Sequence, residues 1–139
     1  MIAIDTGFLY ALVDRSDAWH ARAVAAVPTV QEGWITTWSV LTEATHLMLR
    51  RLGPRFAQTL MAEVADGSLL VWDLPADQLA RIPAMMQRYA RLPMDLADAS
   101  LVLLAEHLGH GRILSTDARD FGSYRWKSRK PFHNLLLLK

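Results

Sequence analysis

Short apolar runs alternate with longer stretches of helical spacing along the whole chain. The first run, Met1-Ile2-Ala3-Ile4, has no polar face and ends on Asp5. Such a run predicts a strand buried on both sides. Phe8, Leu9, Leu12 and Val13 then recur as on one face of a short helix. Asp14 to Asp17 is a polar break, and Ala18 to Val27 predicts an Ala-rich helix. A loop from Pro28 to Gly33 leads to a second strand, Trp34-Ile35-Thr36. Thr37 suits an N-cap, and Val40, Leu41, Ala44, Leu47 and Met48 follow at helical spacing until Gly53-Pro54. Arg55 to Ala65 predicts another helix, with Phe56, Leu60 and Val64 on one stripe. Asp66-Gly67 turns the chain into a third strand, Leu69 to Trp72.

The second half repeats the alternation. Pro75 suits a helix start, and that helix is expected to run to about Arg91, kinked or divided at Pro83. Pro93 marks a boundary. Asp95 to Leu108 is strongly helical, and Gly109 and Gly111 end it. Arg112 to Ser115 predicts a fourth strand, followed again by an acid, Asp117. Phe121 to Lys130 reads as a polar, basic loop or short helix, and Leu135 to Leu138 as a last strand. Strands alternating with helices predict an α/β domain with a central short-stranded parallel sheet and helices on both faces. With no repeat, linker or low-complexity tract, 1–139 reads as a single domain.

Composition narrows the chemistry. Half the residues are hydrophobic (52%), so the chain has a core to bury and is not disordered. The absence of cysteine excludes disulfides, thiolate metal sites and cysteine nucleophiles. Nothing resembles a signal peptide, and no apolar run is long enough to span a bilayer. A soluble, cytoplasmic protein without membrane contact is expected. The net charge of +1 offers no bulk attraction to nucleic acid, so such binding would rest on local patches. Arg50, Arg51 and Arg55 form one basic cluster; Arg125, Lys127, Arg129 and Lys130 form another, with Trp126 interleaved for possible base stacking. A solvated loop explains each of these residues as well. Trp34, Trp38 and Trp72 are assigned to the core, and Trp19 or Trp126 to a partner surface.

Four acids stand at informative places. Asp5 ends the first strand, Glu43 lies in the helix after the second, Asp98 lies in the first turns of the helix before the fourth, and Asp117 follows the fourth. In a doubly wound sheet the carboxyl ends of strands one and four can be neighbours where strand order reverses. Carboxylates gathered there repel unless cations or shared protons stand between them. Oxygen-only ligation suits Mg²⁺ or Mn²⁺, which can activate water at a phosphodiester. Each acid also has a plain structural role open to it. Asp5 or Thr6 suits an N-cap, and capping is the stronger reading for Asp95 and Asp120. Glu43 is too far inside its helix to cap, and is either a solvated boundary residue or a site residue. His20 and His46 read as boundary residues, and no His cluster points to zinc. Phosphate-binding glycine loops and a nucleophile elbow are both absent.

The chain resembles the PIN-domain ribonucleases, and among them the VapC toxins of bacterial toxin–antitoxin pairs. Four segments in order carry the resemblance: IAIDTGFLYALVDRSDAWH, TTWSVLTEATHLM, LPMDLADASLVLLAEHLG and RILSTDARDFGSYR. It implies a three-layer α/β/α PIN fold and Mg²⁺- or Mn²⁺-dependent endoribonuclease activity. It places the catalytic, metal-binding acids at Asp5, Glu43, Asp98 and Asp117. Thr6 and Thr116, or Ser115, are implied as supports that bond the acids or a metal-bound water, with ordinary capping equally open. Asp95 is a plausible further acid, and Arg119, two residues past Asp117, a cation of interest by position. An RNA substrate, a cognate antitoxin and a homodimer are implied by the resemblance alone. A non-catalytic RNA- or protein-binding module of the same fold is the first rival. A phosphoryl-transfer enzyme using a strand-end Asp is the second; a dehalogenase-like phosphatase wants a further Asp two residues after Asp5, where Gly7 stands.

Overall fold

The computed structural model describes residues 1–137. Its main sheet contains β1 (Ile2–Ile4), β2 (Trp34–Thr37), β3 (Leu69–Trp72), β4 (Arg112–Leu114) and β7 (His133–Asn134), in the order β3-β2-β1-β4-β7. Every pairing in it is parallel. β1 is central: Ala3 stands beside Ile35 on one side and Ile113 on the other. This is why Ile2 to Ile4 could spare no polar residue; all three are buried. Strand order reverses between β1 and β4, as the alternation predicted.

The helices cover both faces, completing the three-layer α/β/α arrangement. α1 (Thr6–Val13) packs on α2 (His20–Ala26) and on α3 (Trp38–Arg51), and α3 packs on α4 (Pro54–Ala65). α5 (Arg81–Arg88) packs on α6 (Leu96–Leu108), which lies against β1 and β2. Burial all round explains why α6 reads Ala99-Ser-Leu-Val-Leu-Leu-Ala105 without a polar stripe. Its one buried hydroxyl, Ser100, bonds Thr37 Oγ1 at 2.7 Å. Thr37 also caps α3, accepting from the Val40 amide, as its position predicted. Among the described residues no buried side-chain polar atom lacks a partner.

Four expectations need correction. The helix predicted from Pro75 to Arg91 is a 3₁₀ turn, Ala76–Gln78, followed by α5. Pro83 does not break α5 because it is the third residue, where a helix leaves its N–H unpaired in any case. The basic stretch after Phe121 is α7 (Ala118–Ser123) and then an antiparallel ribbon of β5 (Arg125–Trp126) and β6 (Lys130–Pro131). The last strand is His133–Asn134, and Leu135–Leu137 is a 3₁₀ turn; Leu138 of the predicted strand lies outside the described residues. The tryptophans at 38 and 126 exchange roles. Trp38 is 50% exposed, whereas Trp126 is 6% exposed and donates to Pro131 O at 3.0 Å. Trp126 is therefore closed to base stacking, and its ring instead carries the Lys130 ammonium 4.9 Å from its centroid.

Two contacts fix the periphery. Glu106 on α6 accepts two bonds from Arg81 of α5, at 2.7 and 2.9 Å, and one from the Lys127 amide of the ribbon, at 3.0 Å. Gly111 lets that ribbon close on β4, since a Cβ there would lie 2.5 Å from Trp126 Nε1 and 2.8 Å from Pro131 O.

Candidate active site

β1 delivers Asp5 to the carboxyl edge of the sheet, where its amide donates to Leu114 O of β4 at 3.1 Å. Its backbone is extended, and its carboxylate caps α1 by accepting from the Thr6 amide at 2.7 Å. The other oxygen accepts from Ser115 Oγ, also at 2.7 Å. Asp5 is 7% exposed. Capping and site membership are thus not alternatives for this residue: the cap aims the carboxylate into the cleft.

The same holds for two of the other acids. Asp95 caps α6, and Asp98 returns the bond, giving a reciprocal capping box: Asp98 N to Asp95 Oδ1 at 2.8 Å and Asp95 N to Asp98 Oδ2 at 3.2 Å. Asp98 Oδ2 also accepts from Tyr124 OH at 3.2 Å. Asp117 caps α7, accepting from the Asp120 amide at 3.1 Å. The sequence favours Asp120 as a cap; the cap is Asp117, and Asp120 is a buried acid at the third helical position. Glu43 projects from α3, exposed at the mouth.

These residues share one cleft of about 300 Å³, lined by Asp5, Thr6, Gly7, Glu43, Leu47, Pro93, Asp95, Asp98, Thr116, Asp117 and Asp120. Six of the eleven are carboxylic acids, and none is basic. All four acids implied as the metal-binding set are therefore brought together, with Asp95 at the same wall. Arg119 is not in the lining; its side chain is 76% exposed and reaches Asp120 from outside at 3.4 Å. Thr6 gives the acids its amide, while its hydroxyl points to Val40 O. Thr116 lines the cleft, but the hydroxyl that bonds an acid belongs to Ser115.

Thr116 also explains Gly7. A Cβ on residue 7 would lie 2.0 Å from Thr116 Oγ1. Gly7→Ala is expected to cost about 1–3 kcal/mol by overpacking, visible as a lower thermal midpoint. An unchanged midpoint would show that Thr116 moves away freely.

The electrostatics follow from burial and like charge. Burial pushes the Asp5 carboxyl up to about 6, against the bonds from Ser115 and Thr6 that favour its charged form; Glu43 and Asp117 add repulsion. Burial and then the Asp95 carboxylate push Asp98 up to about 8. Asp117 is raised too, by burial and by Asp120. Burial and the neighbouring Asp98 also raise the Tyr124 phenol, so it stays protonated and donates. Among the described residues no three acidic or His side chains converge tightly enough to form a ready-made ion cage. An open, oxygen-only cleft with uncompensated charge still fits a small hard cation, which typically takes one or two carboxylates and keeps several waters.

Of the two hydroxyls offered by the sequence, Ser115 and not Thr116 is the one that bonds an acid. Sequence reasoning missed two supports. Tyr124 gave no signal, because its partner Asp98 lies 26 residues away. Asn134, which grips Ser115, lies in the stretch between Lys130 and Leu135, for which the pattern predicts no element.

Comparison with known proteins agrees with this architecture. The chain is similar to ribonuclease VapC26 of Mycobacterium tuberculosis, at 25% identity over 122 residues, 88% of this chain and 90% of that protein. Its fold is that of Mycobacterium tuberculosis VapC20, whose crystal structure is described as a sarcin-ricin loop cleaving toxin. The two align with a TM-score of 0.78 and 24% identity, over 86% of this chain and 92% of the other. The family model of the PIN domain matches residues 2–127, a span that holds β1 to β4 and every acid of the cleft, and the chain belongs to the PIN-domain family.

Proposed function

We propose that the protein is a divalent-cation-dependent endoribonuclease, the toxin of a toxin–antitoxin pair. The observation that carries this reading is the convergence of Asp5, Glu43, Asp98 and Asp117, from four separate elements, on one cleft without a basic residue. The ribonuclease and toxin names of the similar proteins support RNA as substrate and an antitoxin as partner. Asp5, Glu43, Asp98 and Asp117 would hold Mg²⁺ or Mn²⁺. When bound, the cation supplies charge stabilisation at the phosphoryl oxygens and eases deprotonation of water.

The protein's own groups do the positioning. Asp5 is fixed from both sides by Thr6 and Ser115, so its orientation does not depend on a ligand. Asp98 is held by Tyr124 and by the Asp95 amide. Glu43, exposed at the mouth, is the carboxylate with room to accept a proton from attacking water. An antitoxin Arg or Lys entering the cleft would satisfy the same charges and shut the site. We take a homodimer as the working assembly. No described helix is long and apolar enough to cross a membrane. The rival of a non-catalytic module is disfavoured by the retention of every acid in the cleft.

The test is cleavage of a panel of labelled structured and single-stranded RNAs with Mn²⁺, Mg²⁺ or chelator, beside Asp98→Asn prepared identically. Cleavage that requires the cation and vanishes in the variant is expected. Equal cleavage by both proteins would mean a contaminant and overturn the assignment.

A further inference from the structure

We infer that Asn134 is a positioning residue for the acid cleft, acting through Ser115 on both Asp5 and Asp117. The inference rests on the reading of that cleft as the active site. β4 and β7 pair at Arg112↔His133 and Ile113↔Asn134, and there the backbone ladder stops, because Leu135–Leu137 turns away. The Asn134 carboxamide continues the pairing in place of the backbone. Its Oδ1 accepts from the Ser115 amide at 3.2 Å, and its Nδ2 donates to Ser115 O at 2.8 Å. Oδ1 also accepts from the Leu136 amide at 3.2 Å, which ties the turn to the same group. Two amide donors on one side and a carbonyl on the other fit only this orientation of the carboxamide.

Ser115 is fully buried, and its hydroxyl is committed twice. It donates to Asp5 Oδ2 at 2.7 Å and accepts from the Asp117 amide at 2.9 Å. One carboxamide therefore holds one serine, and one serine holds two acids from two strand ends. Asp at 134 could accept from both amides but could not donate to Ser115 O. An aliphatic residue could do neither. Asn134 lies beyond residues 2–127, the part matched to the family.

A rival role is simple closure of the sheet beside β4, with no consequence for the cleft. Four variants separate the two: Asn134→Ala, Asn134→Asp, Ser115→Ala and the double Asn134→Ala/Ser115→Ala. Mn²⁺ affinity would be measured by calorimetry, and amide hydrogen exchange on the cation-free protein. Asn134→Ala is expected to weaken Mn²⁺ binding about tenfold or more, the usual effect of losing a group that orients a ligand. KM for RNA should stay within about twofold while kcat falls. The Asp117 amide, which Asn134 does not touch, should exchange faster. The double variant should bind Mn²⁺ no more weakly than Ser115→Ala alone, because both changes break one path. Asn134→Asp, retaining two of three bonds, should fall between wild type and Asn134→Ala.

Unchanged Mn²⁺ affinity with unchanged Asp117 exchange in Asn134→Ala would overturn the inference, whatever its melting temperature. So would losses that multiply in the double variant. If Asn134→Ala does not fold, Asn134→Asp carries the same comparison. If the wild-type protein binds no Mn²⁺, the cation reading fails by itself, and Asp117 exchange alone decides the role of Asn134.

Discussion

Asp5→Asn is expected to lower RNA cleavage by about a hundred- to ten-thousandfold, the range set by several kcal/mol of lost charge stabilisation at the phosphoryl group. The same change should leave the cation-free protein at least as stable as wild type at pH 8. The two results belong together. Asn is as good an N-cap as Asp, so the bond from the Thr6 amide survives and α1 keeps its start. What disappears is a buried negative charge facing Glu43 and Asp117. Initial cleavage rates and a thermal midpoint at pH 8 check both halves. A variant that lost activity and also melted well below wild type would show that Asp5 serves the fold more than the chemistry.

The cation-free protein is expected to lose stability as pH rises from about 5 to 8.5, and a divalent cation should flatten that slope. Asp5 is raised to about 6 and Asp98 to about 8 from an ordinary carboxyl value of 3.8. The folded state therefore holds these protons more tightly than the unfolded chain does. Their contribution is fully present below about pH 4 and is lost as pH climbs through 6 and then 8. For Asp5, a rise of roughly two units corresponds to on the order of 2–3 kcal/mol, or roughly 5–10 °C of melting temperature. Carboxylates held below their ordinary value, such as Asp14 and Asp66, act with the opposite sign but at lower pH. His110 is depressed and also opposes the trend near neutrality. The difference between wild type and Asp98→Asn removes these background groups. Midpoints recorded across the range, with and without Mn²⁺, would sink the prediction if the cation-free slope were absent or reversed.

Where local pattern and tertiary context agreed, the chain was readable. The interval Leu69 to Trp72 is an apolar run bounded by Gly67 and Pro75, and it is the observed strand to the residue. Thr37 and Asp95 cap helices as their positions indicate. The acids at strand ends were found because strand, acid and helix start follow each other in sequence. Failures came where the deciding partner is distant. Leu135 to Leu137 is as apolar as a strand, and only the turn tied down by Asn134 makes it a 3₁₀ segment. Trp126 is indistinguishable from a surface aromatic among lysines until Gly111 and Pro131 close over it. Asp117 and Asp120 share the same local spacing as Asp95 and Asp98, so which acid of the pair caps was not legible. Ser115 was legible beside Asp117, but Asn134 lacks any pattern, since its value lies in a pairing across 19 residues.

The placement of β1 at the middle of the sheet bears on how the protein assembles. Its three residues precede one of their two neighbours, β4, by more than a hundred positions, since β4 begins at Arg112. Parallel pairing over such a separation forms slowly, because most of the chain must be gathered before the contact rewards it. Until then Ile2, Ala3 and Ile4 present an open, wholly apolar edge. A fragment that stops before Arg112 keeps that edge for good, and should collect as aggregate where the full chain refolds.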